Sequence, residues 1–76
     1  EDREGQMDVA LGLYQNAAAI EPNNPTVLND LALCLARKGD FAEAHRALSH
    51  VVQLEPRKPL YRNNMAKVLI EMNRLD

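Results

Sequence analysis

This 76-residue chain contains two histidines, one cysteine and one serine, which are side chains that can bind a metal or act as a nucleophile. His45 and His50 are five residues apart in a helix-forming stretch, which places them roughly 140° apart around the axis, so they cannot share one metal ion. Cys34 lies among apolar residues and is expected to be a small core residue rather than a reactive thiol. Ser49 has no glycine-flanked turn and no sign of a positioned base. We therefore predict no catalytic residues, no metal site and no cofactor, and hence a protein that is not an enzyme.

Asparagine side chains offer a different kind of chemistry, which is hydrogen bonding to a polypeptide. Asn29 and Asn63 are the same residue type at equivalent places of two similar segments, and each amide carries donors and an acceptor that suit the unpaired N–H and C=O groups of an extended peptide. Two plainer interpretations stay open, because both side chains could be solvated or could bond a neighbouring turn. The side chains that share these two helix faces by spacing are Asn29, Leu33, Arg37, Asn63, Lys67 and Ile70.

Composition excludes two classes of function. The formal net charge is −2, and no run of lysine or arginine is longer than the pairs Arg37-Lys38 and Arg57-Lys58, so nucleic acid is not expected as a partner. The chain also lacks an apolar run of about 18 residues, so no membrane span is expected. With 46% hydrophobic and 26% charged residues, the chain has the composition of an ordinary small folded domain.

A sequence repeat runs through the chain. Nine of the 42 residue pairs separated by 34 positions are identical. These pairs are Arg3/Arg37, Gly5/Gly39, Ala10/Ala44, Glu21/Glu55, Pro22/Pro56, Pro25/Pro59, Asn29/Asn63, Ala32/Ala66 and Leu35/Leu69. Several of the identities fall on turn formers and small residues, where backbone geometry and close packing are most demanding. The repeat is therefore expected to be structural.

Prolines and glycines divide the chain into helices. The segments 22–25 and 56–59 begin and end with proline, which lacks an N–H and clashes with the preceding helical turn. Gly39-Asp40 lies between these segments and is expected to form a third turn. The predicted helices span residues 7–21, 25–38, 41–55 and 59–72, and residues 1–4 are assigned to the end of a preceding helix.

Particular residues are expected to begin and end these helices. Asn24 is placed to cap the second helix, with Pro25 in its first turn. Asp40 is expected to cap the third helix in a capping box with Glu43, after Gly39 in a left-handed conformation. The equivalent turns of the neighbouring repeats are predicted at Gly5-Gln6 and Asn73-Arg74.

Apolar side chains form a stripe on three of the helices. The stripe of the second helix is Leu28, Leu31, Ala32 and Leu35; that of the third is Phe41, Ala44, Leu48, Val51 and Val52; that of the fourth includes Met65, Ala66 and Leu69. Arg62 stands where Leu28 stands one repeat earlier, and its stem is expected to be buried. Because every stripe needs a neighbour to cover it, the helices are expected to stack in pairs.

This pattern resembles the tetratricopeptide repeat, a helix–turn–helix unit of about 34 residues. The residues of 25–58 that match the family's signature are Leu28, Leu31, Ala32, Leu35, Ala44, Leu48 and Pro56. Leucine at position 28 departs from the tryptophan that is typical there. The resemblance implies an all-α fold in which antiparallel helix–turn–helix pairs stack as a right-handed solenoid, here with four helices or about two repeats.

The repeat register divides this single domain into three parts. Residues 1–24 are the second helix of a preceding repeat, 25–58 form a complete repeat, and 59–76 are the first helix of the next. About three repeats are normally needed for stability. We therefore expect an excerpt of a longer array, or a chain that completes its core by self-association.

Protein interaction is the function that the resemblance implies. In tetratricopeptide proteins the first helix of each pair lines a concave surface where partner segments usually bind, so a protein or peptide partner is expected. The contacts expected there are Asn29, Leu33, Arg37, Asn63, Lys67 and Ile70. Two alternatives stay open: a non-catalytic regulatory or substrate-presenting segment of a larger enzyme such as a glycosyltransferase, and a homo-oligomerising module that pairs through exposed stacking faces.

Overall fold

Four helices make up the chain in the computed structural model, which describes residues 3–74. They are α1 (Arg3–Ile20), α2 (Pro25–Arg37), α3 (Phe41–Leu54) and α4 (Pro59–Arg74), and no strand occurs in this range. Connections of three or four residues join successive helices, and such short connections make neighbouring helices antiparallel. The predicted all-α class and the four helices are confirmed.

Asn24 caps α2 as the sequence predicts. Its side-chain Oδ1 accepts hydrogen bonds from the backbone N–H groups of Thr26 at 3.0 Å and Val27 at 3.3 Å. These bonds satisfy two of the amide groups that a helix leaves unpaired at its start. Pro25 lies in the first turn, where its missing N–H removes no hydrogen bond.

Gly39 ends α2 in the left-handed conformation that the sequence predicts, with φ of 92°. The N–H of Gly39 donates to the carbonyl of Ala36 at 3.0 Å, and the N–H of Asp40 donates to that of Leu35 at 2.9 Å. This pair of bonds is the Schellman motif, which satisfies the last carbonyls of a helix. A single glycine therefore turns the chain from α2 towards α3.

The capping box predicted at the start of α3 is wrong. Asp40 is the N-cap residue, but its side chain makes no capping hydrogen bond; at the start of α3 its backbone carbonyl accepts from the N–H of Ala44 at 3.0 Å. The ψ of Asp40 is 65°, whereas a capping residue normally has an extended backbone that aims its side chain at the helix start. Glu43 instead pairs with Arg46 on the exposed side of α3, at 3.4 Å.

The two outer turns predicted from the repeat are also wrong. α1 continues through Gly5 and Gln6, and α4 continues through Asn73 to Arg74. Between residues 3 and 74 only Gly39 has a positive φ. At Gly39 the chain turns between α2 and α3, which pack on each other. Gly5 lies within α1 and Asn73 within α4, and between residues 3 and 74 no second helix lies on the other side of such a turn. Unbroken helical hydrogen bonding is then locally preferred, even with a glycine inside the helix.

Each helix packs against its neighbours in sequence, α1 on α2, α2 on α3 and α3 on α4. The chain is thus a flat body with extents of 38 × 35 × 16 Å. α2 and α3 have a neighbour on both sides and supply most of the core. The buried apolar residues are Leu28, Ala32, Cys34, Leu35, Ala44, Leu48, Val51, Tyr61 and Val68. Ala32 and Ala44 are fully buried, and their small side chains let α2 and α3 approach closely.

The stripe predicted for α4 is wrong in two of its three residues. Ala66 and Leu69 are exposed, and only Met65 packs partly against the core. The buried residues of α4 are instead Tyr61, Asn64 and Val68.

A missing neighbour explains this difference. Ala66 and Leu69 are the repeat equivalents of Ala32 and Leu35, which pack in one core cluster with Ala44 and Leu48 of α3. No helix between residues 3 and 74 follows α4 to cover the same face there, so α4 packs on α3 through its other side. Arg62 lies on the uncovered face and is exposed, so the expectation of a buried stem is wrong.

Candidate partner-binding surface

A hydrogen bond between two buried amides joins α2 to α4. Asn64 Nδ2 donates to Asn29 Oδ1 at 3.0 Å, and both residues are only 8% exposed. Asn29 is therefore neither solvated nor bonded to a neighbouring turn, which were the two plainer interpretations of the sequence. The pair ties together helices that are separated by the whole of α3 in the chain.

The sequence predicted that Asn29 and Asn63 would act together, and the structure brings Asn29 to Asn64 instead. Asn29 and Asn63 are repeat equivalents, so their side chains leave their helices in the same direction and do not face each other. Asn64 lies one residue further on, about 100° around α4, and points back towards α2. Asn63 itself is exposed.

One donor and one acceptor of the amide pair take no part in its hydrogen bond. They are Asn29 Nδ2 and Asn64 Oδ1. Within the described chain no side-chain nitrogen or oxygen is both buried and without a hydrogen-bond partner. Because neither atom has a hydrogen bond to the protein, both must reach solvent.

The remaining residues predicted for the site lie on the same two helices as this pair. Leu33 is half-buried on α2, and Arg37 is exposed one turn further along the same helix. Lys67 and Ile70 of α4 are both exposed, as is Asn63. We call the following residues the α2–α4 surface: Thr26, Asn29, Asp30, Leu33, Arg37, Leu60, Asn63, Asn64, Lys67, Ile70 and Glu71. Its exposed or half-buried side chains are accessible to a partner.

The α2–α4 surface carries charges of both signs. Arg37 and Lys67 are its cations, and Asp30 and Glu71 are its anions. No single sign dominates, so this surface does not select a strongly acidic or strongly basic ligand by its overall field. Its polar centre is the neutral amide pair.

The burial of Tyr61 and Asn64 on α4 was not predicted, although Asn64 was expected as a further contact beside Asn63. Tyr61 is 5% exposed, and its ring lies 5.9 Å from the Nζ of Lys58. The signal was present, because Tyr61, Asn64 and Val68 are spaced three and four residues apart and lie on one helix face. It was overlooked because the repeat identities drew attention to Ala66 and Leu69.

The groups first considered for chemistry lie outside this surface or are inaccessible. Cys34 is buried, as predicted. His50 is exposed, and its Nε2 lies 3.1 Å from Asn23 Oδ1, which links α3 to the connection between α1 and α2. His45 is half-buried on α3 rather than exposed.

Antiparallel helices that recur with the spacing of the sequence repeat and pack mainly on their neighbours in the chain define a helical-repeat protein. The chain belongs to the tetratricopeptide repeat family, whose sequence model matches residues 3–67. Members of this family generally act as protein–protein interaction modules and are generally non-catalytic. No curated protein matches the chain. Among residues 3–74 no helix has the length and apolarity that crossing a membrane requires.

Proposed function

We propose that this chain binds an extended segment of a partner protein along the α2–α4 surface. The family makes protein interaction the general function, and the amide pair of Asn29 and Asn64 supports this surface as the place. The pair is the one described hydrogen bond that directly joins side chains of α2 and α4.

The solvent-reaching atoms of the amide pair suit a polypeptide backbone. An extended segment presents N–H and C=O groups that are not paired within the segment. Asn64 Oδ1 can accept from such an N–H, and Asn29 Nδ2 can donate to such a C=O. Because the two amides already hold each other in place, little side-chain entropy is lost when the ligand binds.

The residues beside the amide pair favour a peptide that has both apolar and polar side chains. Leu33 is half-buried and Leu60 and Ile70 are exposed, so apolar side chains of the partner have a place to pack. Arg37 and Lys67 lie beside them and can bind acidic side chains or carbonyl oxygens. The ligand class is therefore an extended peptide with apolar anchors, recognised partly through its backbone.

Selection from a library of random twelve-residue peptides tests this proposal with the purified chain. We expect selected peptides to shift the backbone NMR signals of Leu33, Asn64 and Lys67. Leu33→Glu and Lys67→Glu should each weaken these peptides at least about tenfold, which corresponds to about 1.4 kcal/mol.

Gln53→Glu is the matched control, because Gln53 is exposed on α3, outside the α2–α4 surface, and it should leave affinity unchanged. Circular dichroism of each variant confirms that it is folded. Peptides whose NMR shifts lie on α1 and α3, or whose affinity is unchanged by both surface variants, would contradict the proposal.

A further inference from the structure

The two outer helices leave apolar faces uncovered. On α1, Val9 and Leu13 are each 64% exposed and Ile20 is 80% exposed. Spacings of four and seven residues place these three side chains on one face. On α4, Leu69 and Ile70 are 42% and 57% exposed.

The repeat relates these faces to an interface that already exists in the chain. α3 packs on α2, with Ala44 and Leu48 against Ala32 and Leu35. α1 is the repeat equivalent of α3, and α4 is the repeat equivalent of α2. The α4 counterparts of Ala32 and Leu35 are Ala66 and Leu69, and the α1 counterparts of Ala44, Ala47 and Leu54 are Ala10, Leu13 and Ile20. α4 thus keeps one half of this interface uncovered and α1 keeps the other.

We propose that copies of this chain associate head to tail, with α1 of one copy packed on α4 of another as α3 packs on α2. The occupant of each face is a second copy because that copy carries the complementary face by repetition. The new contact would continue the α2–α3 packing beyond α4.

The polar groups of this junction are complementary as well. Within the chain, Asn29 of α2 bonds to Asn64 of α4. Across the junction, the equivalent positions are Asn63 of one copy and Asp30 of the next. The Asn63 amide can donate to the Asp30 carboxylate, which repeats the link between α2 and α4 with a charged acceptor.

Opposite charges also approach each other where the start of α4 would meet the end of α1. Arg62 stands in the place of Leu28, whose cluster includes Leu54 of α3. In a second copy the equivalents of Leu54 and its neighbour Glu55 are Ile20 and Glu21. The Arg62 guanidinium, which donates to the carbonyl of Pro56 within one chain, would lie at the level of the Glu21 carboxylate of the second copy, although a cation at this apolar position also weakens the contact.

The ends of the two helices allow this approach. α3 begins at Phe41, whose repeat counterpart in α1 is Met7, and α1 begins four residues earlier, at Arg3. α2 ends at Arg37, whose counterpart in α4 is Glu71, and α4 ends three residues later, at Arg74. Both helices run about one turn past the level where α2 and α3 are joined. Because both stay helical across this level within residues 3–74, α1 of one copy can lie antiparallel beside α4 of another.

Sedimentation velocity across concentration tests the proposal with the 76-residue chain and two variants. Leu13→Glu places a charge on the α1 face, and Leu69→Glu places one on the α4 face; both sites are exposed, so the fold should be retained. We expect the unmodified chain to grow beyond a dimer between about 10 µM and about 1 mM, and each variant alone to stay monomeric because its junction weakens at least about tenfold.

An equal mixture of the two variants is the decisive sample. Leu13→Glu chains keep an intact α4 face and Leu69→Glu chains keep an intact α1 face, so one good junction can form and the mixture should stop at a dimer. Ala42→Glu, on the exposed side of α3, is the control and should associate like the unmodified chain.

Three results would overturn the proposal. The unmodified chain could stay monomeric up to about 1 mM, the mixture could stay monomeric, or one variant alone could still dimerise. The last result would show a symmetric contact between identical faces, which a two-fold dimer uses.

Discussion

At the scale of single residues, the amide pair is the feature on which both stability and recognition depend. Asn29 and Asn64 are buried polar side chains, and each satisfies part of the other's hydrogen-bonding capacity. An asparagine buried without such a partner would destabilise the fold. The same two side chains keep one donor and one acceptor in contact with solvent.

Asn64→Ala should lower the free energy of unfolding by about 1–3 kcal/mol, because it leaves Asn29 Oδ1 buried without its donor. Asn63→Ala is the matched control one residue away. Asn63 is exposed, so its removal should change stability by no more than about 0.5 kcal/mol. Urea denaturation of both variants makes the comparison, and equal effects would show that the hydrogen bond contributes nothing specific.

At the scale of elements, the turn between α2 and α3 depends on the backbone of one glycine. A Cβ added at Gly39 would meet no atom within 4 Å, so the surroundings leave space for a side chain. The constraint lies in the backbone, because Gly39 has a φ of 92° and residues other than glycine rarely adopt a positive φ. Gly12 also has open space around it, but it lies inside α1.

We therefore expect the substitution of alanine for glycine to have opposite effects on stability at these two positions. Gly39→Ala should destabilise the chain by about 1–2 kcal/mol, because alanine in the left-handed region is strained. Gly12→Ala should stabilise it by about 0.5–1 kcal/mol, because alanine favours the helix. Thermal unfolding followed by circular dichroism measures both changes, and a shift of the same sign in both variants would contradict this explanation.

Two local features, the Asn24 cap and the Gly39 turn, could be predicted from the sequence, whereas the long-range contacts could not. The Asn24 cap and the Gly39 turn depend on residues within a few positions, so pattern and residue type sufficed to predict them. The partner of Asn29 depends on how α4 is rotated against α3, which no local pattern determines. Ala66 and Leu69 were assigned to the core from residue type and repeat position alone, whereas burial also requires a neighbouring helix.

At the scale of the whole molecule, the two central helices have more packing neighbours than the two outer helices. α2 and α3 each pack between two helices, whereas α1 and α4 each pack on one. The two largest fully buried side chains, Leu48 and Val51, both belong to α3. In repeat proteins stability is close to a sum of terms from each unit and from each interface, so the centre should be more stable than the ends.

Hydrogen exchange should show this gradient. Amides in the middle of α2 and α3, such as those of Leu35 and Leu48, are expected to exchange most slowly, and those of the first turns of α1 and the last turns of α4 most quickly. NMR-detected exchange at neutral pH and low protein concentration, where chains do not associate, measures the rates. Uniform protection across all four helices would mean that the chain opens only as a single cooperative unit.

Packing that involves mainly helices adjacent in the chain has a consequence for folding speed. Contacts between adjacent helices form across connections of only three or four residues, so the entropy lost before the first contacts form is small. Chains dominated by local contacts fold within microseconds to milliseconds. The α2–α3 hairpin, which contains the Gly39 turn and the centre of the core, is the natural nucleus, and α1 and α4 can then add to either side in any order.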